Sequence, residues 1–456
     1  MELADNTFNA GAAKVDITPP LGTIINGDFR AHYARYIHDP LFAKAIVLKK
    51  EGMMAAIVVV DICVMPKNYV DQIRNEVSGK TGIAFADILI SCTHTHAAGS
   101  VAEAYLSSVD AAYSKKLPGL IVEAVKQAKE KLRPAKIAFG GTDVPEHVLS
   151  RRYLMNEGYT PHSPVTGIRE EVKTNPFGAE SYIRQAATIT DPGVAYLAIK
   201  GTDDSWISLL ANYSLHYVGD WENGTISADY FGEFAASIQR KLDADNDFVG
   251  IMSNGTSGDI NIWDFLNPGR YPSGHFEKSK LIGEDIAEHV FQSLSQISWE
   301  ENPDLDTCYK ELNIATRKPS AEELEQSKKI VAESNYETLH PDEEGLRKIY
   351  AREQVLLNEY PDTIQFPLHV IKIGTGLIGG LAAEIFAETG LWLKNQSPAE
   401  RYFSISLANG NCGYVPPSGA FELGGYETWR SRTSYLEINA ETSIRNKMIG
   451  LMKKFY

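Results

Sequence analysis

Apolar residues along the chain fall into short unbroken runs and longer runs at helical spacing, and the two kinds alternate. Ala43 to Leu48 and Ala55 to Val60 are apolar runs separated by Lys49-Lys50-Glu51-Gly52, which predicts a hairpin. Asn68 to Glu76 reads as a helix, and Ile88 to Ser91 returns as a buried strand. Pro118 to Leu132 carries apolar residues at helical spacing with Lys and Glu on the other face. The alternation continues through strand Ile207 to Tyr213, helix Phe231 to Leu242 and strand Val249 to Met252. Interleaving of this kind predicts an α/β fold, mixed β-sheets flanked by helices, rather than separate all-α and all-β blocks. With no internal repeat or low-complexity tract, one domain over residues 1–456 is expected.

One stretch differs. Residues 318–362 are dense in Glu and Lys and begin with Ser320-Ala-Glu-Glu323, a capping box that satisfies the first N–H groups of a helix. Asp342-Glu-Glu344 opens a second helical run through Leu357. This reads as a surface helical hairpin inserted between strands, a solvated face with no chemistry assigned to it.

Composition narrows the partners. The 44 Lys and Arg against 59 Asp and Glu give a net charge of −15, which disfavours nucleic acid and anionic lipid surfaces. The longest apolar runs, Met53 to Val60 and Ile373 to Ala383, fall short of the roughly 20 residues that a membrane span needs. Four cysteines, Cys63, Cys92, Cys308 and Cys412, are too few for a disulfide framework. The first residues lack the basic start and apolar stretch of a secretory signal, so a cytoplasmic protein is expected; homo-oligomerisation is left open.

The sharpest chemical signal is Ser91-Cys-Thr-His-Thr-His96, directly after the strand Ile88-Leu-Ile. Side-chain alternation would point His94 and His96 to one side of the strand end, as metal ligands or as one ligand and one proton carrier, against the plainer reading of two buried, hydrogen-bonded histidines. His216 also ends an apolar strand. Ser253-Asn-Gly-Thr-Ser-Gly-Asp-Ile-Asn261 follows Val249 to Met252 as a Gly-rich turn whose N–H groups can cradle an oxyanion, or as a plain tight turn. Glu384, placed by its sequence at a helix start, follows an apolar Gly-rich strand, with Glu388 one turn later as the fallback. Tyr414 sits in the loop leading to Gly424-Gly-Tyr426.

Taken in order, Gly11-Ala-Ala-Lys-Val-Asp-Ile-Thr-Pro-Pro20, Leu41-Phe-Ala-Lys-Ala45, Thr93-His-Thr-His96, Leu215-His216, Gly258-Asp259, Ala383-Glu384 and Gly413-Tyr414 resemble the neutral/alkaline (non-lysosomal) ceramidases, from about residue 10 to about 445. The resemblance implies a catalytic domain of that kind with one Zn2+ held by His94, His216, Glu384 and Tyr414. It also implies that His96, Arg151 (or Arg152), Asn261 and Tyr426 face substrate, with Gly27 lining the pocket. Two departures matter. Gly258-Asp-Ile-Asn-Ile-Trp263 puts Asn261 where the family has its active-site serine, and the chain leaves no room after Tyr426 for the family's C-terminal immunoglobulin-like domain. The expected function is a zinc-dependent hydrolase cleaving a C–N amide bond of a small-molecule or lipid-like N-acyl substrate by zinc-activated water. Asn261 would serve as an oxyanion donor, and a hydroxyl from Thr256 or Ser257 is the competing nucleophile. An esterase or lactonase on a polar or sugar-derived substrate is the alternative, as is a non-catalytic relative with a structural metal.

Overall fold

The hairpin forms, and its turn is Glu51 and Gly52, both at positive φ (48° and 86°), as a two-residue turn between right-twisted strands requires. In the computed structural model, which describes residues 6–25 and 27–456, this hairpin belongs to an eight-stranded sheet. The strands are β1 (Asn9–Asp16), β2 (Phe42–Lys50), β3 (Met53–Val60), β4 (Ile88–Cys92), β5 (Arg133–Asp143), β6 (Gly193–Gly201), β7 (Trp206–Tyr213) and β8 (Val249–Asn254). Their spatial order is β8-β7-β6-β5-β1-β2-β3-β4, antiparallel through the middle and parallel at both edges. A second sheet runs β9 (Leu305–Ala315), β10 (Thr363–Ile373), β11 (Gly376–Leu381) and β12 (Arg401–Ile405). The α/β class with a large mixed sheet flanked by helices is therefore as the sequence predicts.

Alternation along the strands sorts the core into layers. Ala43, Ala45 and Val47 of β2, with Ala56, Val58 and Val60 of β3, pack on helices α1 (Lys67–Thr81) and α2 (Ala111–Glu130). Their neighbours Ile46, Leu48, Ile57 and Val59 face the other way, onto Ile371, Ile378 and Phe403 of the second sheet. A sheet covered on both faces needs unbroken apolar strands, which is why Met53 to Val60 shows no polar alternation. Helices α3 (Asp229–Lys241) and α4 (Glu277–Ser293) cover β6 to β8.

Three local expectations are corrected. Helix α2 begins at Ala111, capped by Asp110, and carries Pro118 inside it. The carbonyl of Ser114, which Pro118 cannot bond, accepts instead from Tyr69 Oη on α1 (2.6 Å), so the proline does not end the helix. The capping box at Ser320 opens α5 (Ala321–Ala332) as expected, and α6 (Glu343–Asn358) follows. Yet α6 is not a solvated surface: Ile349, Tyr350, Glu353 and Leu357 are buried, with Glu353 paired to Arg432 (2.9 Å). Glu384 lies in a two-residue strand, Glu384–Ile385, paired with Tyr414–Val415, and α7 (Ala387–Gln396) starts only afterwards. No helix among the described residues is long and apolar enough to cross a membrane.

The two edges of the large sheet meet. Although they end the strand order, β4 and β8 are in contact, so the sheet curls back on itself. The segment from Ser406 to Asn409 fastens them: Asn409 N donates to Ile90 O (2.7 Å), Ser406 N to Asn254 O (2.9 Å), and Leu407 N to Ala383 O (3.2 Å).

Inside this layer sits one buried ion pair, Lys44 Nζ to both oxygens of Asp61 (2.8 and 2.7 Å), with Asp61 also accepting from Phe42 N (2.9 Å). Removing one partner strands a buried charge. Lys44→Met should therefore cost about 3–5 kcal/mol in urea unfolding, and Lys44→Met/Asp61→Leu should recover most of it. A double variant no more stable than the single one would contradict this account of the pair.

Candidate metal centre

β3 and β4 leave the sheet side by side, and their extensions stay hydrogen-bonded: Thr93 N donates to Val60 O (2.9 Å) and His94 N to Ile62 O (3.0 Å). His94 itself has φ 75°, so the strand has already ended. His94 and His96 do meet, with Nε2 atoms 3.2 Å apart and rings at 87°. A left-handed turn brings them together, not the pleat alternation expected from sequence. His216 follows β7 by three residues, its ring centroid 4.7 Å from that of His94. Glu384 completes the group, with Oε2 3.3 Å from His94 Nε2 and 3.9 Å from His216 Nε2.

The donor chemistry fits a cation. Nδ1 of His94 donates to Cys63 O (2.8 Å) and Nδ1 of His216 to Ser257 O (3.0 Å), which fixes both rings and leaves both Nε2 atoms for a shared point. Glu384 is buried, and its Oε2 has no aligned hydrogen bond among the described residues. Two ligands at about 2.05 Å from a tetrahedral zinc stand about 3.3 Å apart, close to the His94–Glu384 separation. His94, His216 and Glu384 can hold a metal ion, all their ligand atoms lying within 4.8 Å of one another. Cys63, His94 and His96 form a second such group sharing His94. Glu388 is exposed on α7 and is not part of either group.

The electrostatics agree. Burial works against charge on His94, but the Glu384 carboxylate outweighs it and raises that imidazole well above its ordinary pKa. Burial, then the neighbouring His94 and Arg151, push both His96 and His216 well below theirs, leaving neutral rings with free lone pairs. Burial opposes ionisation of Glu384, yet His94, a hydrogen bond from Tyr414 and the Arg151 charge hold its pKa below the usual carboxylate value.

The remaining sequence candidates surround this group. Gly27 (φ 122°) lies against the His96 ring so closely that a Cβ there would stand 2.6 Å from Cγ, and His96 stacks on Tyr217 (centroids 3.6 Å, 15°). Of the two arginines, Arg151 faces the centre: its Nη1 reaches Tyr414 Oη (3.4 Å), and its guanidinium lies 5.4 and 5.5 Å from the Tyr414 and Tyr426 ring centroids. Arg152 turns away, to Glu427 Oε2 (2.5 Å) and Gly424 O (2.7 Å). The fully buried Glu427, unnoticed in the sequence, holds both arginines, with Arg151 Nε 2.9 Å from its other oxygen. Tyr426 Oη accepts from Tyr105 Oη (2.8 Å), another residue sequence reasoning missed.

The Gly-rich turn has a structural part. Gly255 N donates to Tyr213 O (2.8 Å), Gly258 N to Ile385 O (2.8 Å) and Ile260 N to Ser257 O (3.1 Å), so it buttresses the Glu384 strand. Asn261 does reach the site. Its Nδ2 donates to Asn175 Oδ1 (2.6 Å), its Oδ1 accepts from Trp263 N (3.0 Å), and it lines a cavity of about 440 Å³ with His96, Arg151, His216, Tyr414 and Tyr426. Phe29, Phe177, Tyr217, Trp263 and Trp429 give that cavity aromatic walls, and Leu346 of α6 closes one side. A smaller cavity of about 160 Å³ adjoins Cys63, His94 and Glu384. Ser257 Oγ donates to Asn254 (2.8 Å) and Thr256 Oγ1 lies 3.4 Å from Ser214 Oγ; neither lines these two cavities.

Two solved structures are similar over nearly the whole chain. A neutral ceramidase from Pseudomonas aeruginosa matches with a TM-score of 0.71 at 14% identity, covering 99% of this chain and 75% of that one. A ceramidase complexed with C2 matches with a TM-score of 0.69 at 14% identity and the same coverage. No protein-family model and no curated protein matches the sequence. The chain thus has a neutral-ceramidase-like α/β fold, with a buried His/Glu cluster that can hold a metal.

If that cluster is the centre, protein exposed to zinc and then desalted should carry about one metal per chain by elemental analysis. His94→Ala, His216→Ala and Glu384→Gln should each lose most of it. Full occupancy in any two of these variants would refute the placement.

Proposed function

We propose that the protein is a zinc-dependent hydrolase cleaving the C–N amide bond of an N-acyl compound, with Zn2+ held by His94, His216, Glu384 and Tyr414. The observation that carries this reading is that His216 and Tyr414 line an aromatic-walled cavity with polar side chains, while His94 and Glu384 line the smaller cavity that shares His96, Tyr414 and Tyr426 with it. A structural metal site is closed, whereas a catalytic one keeps a position for water and substrate. The neutral-ceramidase-like fold supports the amide over other hydrolysable bonds.

Zinc bound there would supply Lewis acidity, polarising an acyl carbonyl and making water nucleophilic near neutral pH. The chain's own groups do the rest. His96, kept neutral by burial and hydrogen-bonded to the Gly27 backbone, turns Nε2 toward the same point as His94. It takes the proton of the attacking water and returns it to the leaving nitrogen. Arg151, fixed by Glu427, sets a positive charge beside Tyr414 and Tyr426 where the carbonyl oxygen becomes negative. Tyr426 accepts from Tyr105, so its own proton is free to donate. Asn261 is locked by Asn175 and Trp263 and keeps one N–H for the cavity. No hydroxyl of the Gly-rich turn lines the cavity, which favours direct attack by water over an acyl-enzyme.

The cavity of about 440 Å³ is sized for a drug-like ligand, and its polar residues suit a smaller, more polar N-acyl compound than a two-chain lipid. Esters and lactones of such compounds are open to the same chemistry. A panel of N-acyl, ester and lactone compounds assayed with zinc-loaded protein tests the reading. His96→Ala should keep its metal and lose on the order of 10² to 10⁴ in turnover. Asn261→Ala should keep its metal and lose roughly 10² to 10³ in kcat. Metal lost together with activity in His96→Ala would mean that His96 is a ligand; no hydrolysis of any panel member would reject the reading.

A further inference from the structure

A third and larger cavity, about 840 Å³, lies between the loop from Tyr159 to Gly167 and the helices α5 and α6. It shares Lys173, Pro341, Leu346 and Trp429 with the wall of the reaction cavity, so these residues stand between the two spaces. Lys173 sits on the short strand Val172–Thr174 and is only half-buried. Its neighbour Thr174 bonds to Glu427, the residue that fixes Arg151, so the strand is tied directly to the reaction site.

Lys173 differs from the other cations here. Arg151 is held by Glu427, Arg430 by Glu323 (2.9 Å) and Arg347 by Glu344 (3.1 Å). Among the described residues, the Lys173 ammonium makes no side-chain hydrogen bond or ion pair. The nearby carboxylates attract it but do not hydrogen-bond it. Glu170 shares the single Trp429 Nε1 proton between its oxygens (2.8 and 3.0 Å) and accepts from Gly425 N (3.1 Å), while Glu343 is exposed at the start of α6. Burial lowers the pKa of this lysine, against the weaker pull of Glu170 and Glu343. A partly desolvated ammonium with no hydrogen-bond partner among the described residues, facing two cavities, suits an anionic group brought by a ligand.

We propose that Lys173 binds an anionic group, a carboxylate or a phosphonate-like oxyanion, on the part of the substrate remote from the scissile bond. This rests on the hydrolase reading for the position of the scissile bond, and it names the substrate class more narrowly: an N-acyl compound whose amine part is acidic. The larger cavity gives that part room to extend toward solvent. A neutral amide would offer the ammonium a hydrogen bond but no opposite charge.

The test uses full-length zinc-loaded protein and N-hexanoyl derivatives of glycine, 4-aminobutyrate and 6-aminohexanoate, each beside its neutral carboxamide. N-hexanoyl aminomethylphosphonate distinguishes the two anion chemistries. By calorimetry, at least one anionic member should bind on the order of tenfold to a hundredfold more tightly than its neutral match, the range of one charge-assisted hydrogen bond. That ratio should collapse toward one in Lys173→Met and persist in Lys173→Arg, with zinc content confirming folding in each. No preference, a preference that survives Lys173→Met, or no binding by any member would overturn the proposal. Hydrolysis is read in parallel. Anion preference without turnover would sink the hydrolase reading and leave Lys173 standing, whereas turnover without anion preference would do the reverse.

Discussion

A carboxylate buried between two imidazoles is the constraint on which the rest of this structure depends. Glu384 is ionised although it is only 8% exposed, and an isolated buried carboxylate is too costly to persist. It needs positive charge at its Oε2. A proton on His94 supplies some, but both imidazoles are already held through Nδ1 by backbone carbonyls, which prepares their Nε2 atoms for a shared cation instead. The Arg151 charge nearby has the same sense, and Arg151 is itself kept in place by the buried Glu427.

Bringing those groups to one point uses the whole fold. His94 follows an edge strand of the large sheet and His216 follows β7, which runs next to the opposite edge strand, β8. The sheet delivers both because its edge strands touch. Glu384 comes from a third place, a two-residue strand beyond the second sheet, aligned by Tyr414–Val415 and stitched to both edges through the segment from Ser406 to Asn409. The cavity wall comes from a fourth, because α6 turns Tyr350 inward to hydrogen-bond Tyr105 (3.2 Å), which in turn bonds Tyr426.

Local pattern revealed the strands and helices because each is a short-range matter of period and capping. The β2–β3 hairpin, α3 and the Ser320 capping box needed nothing beyond neighbouring residues. The misreadings arose where distant residues intervene. Pro118 looked like a helix start because nothing near it in sequence announces that Tyr69 will satisfy the carbonyl it orphans. The hairpin of α5 and α6 looked solvated because its charge density hides a buried face on α6. At the site, histidines after apolar strands were conspicuous, and order along the chain linked them to Glu384 and Tyr414. Glu427 and Tyr105 were not conspicuous, since a glutamate beside a tyrosine and a tyrosine in a loop carry no mark until folding buries them. The Gly-rich turn read from sequence as a plain tight turn or an anion cradle, and Gly255 and Gly258 N–H donating to Tyr213 and Ile385 agree with the plain turn.

The identity of the ligand set is the claim most directly open to measurement, because His94 belongs to two overlapping groups, one with His216 and Glu384 and one with Cys63 and His96. X-ray absorption at the zinc edge of the loaded protein separates them, since sulfur scatters strongly and binds zinc at about 2.3 Å, against about 2.0–2.2 Å for nitrogen and oxygen. The account predicts a first shell of nitrogen and oxygen alone, with the multiple-scattering pattern of two imidazoles. A sulfur shell would place the metal at Cys63 and contradict it.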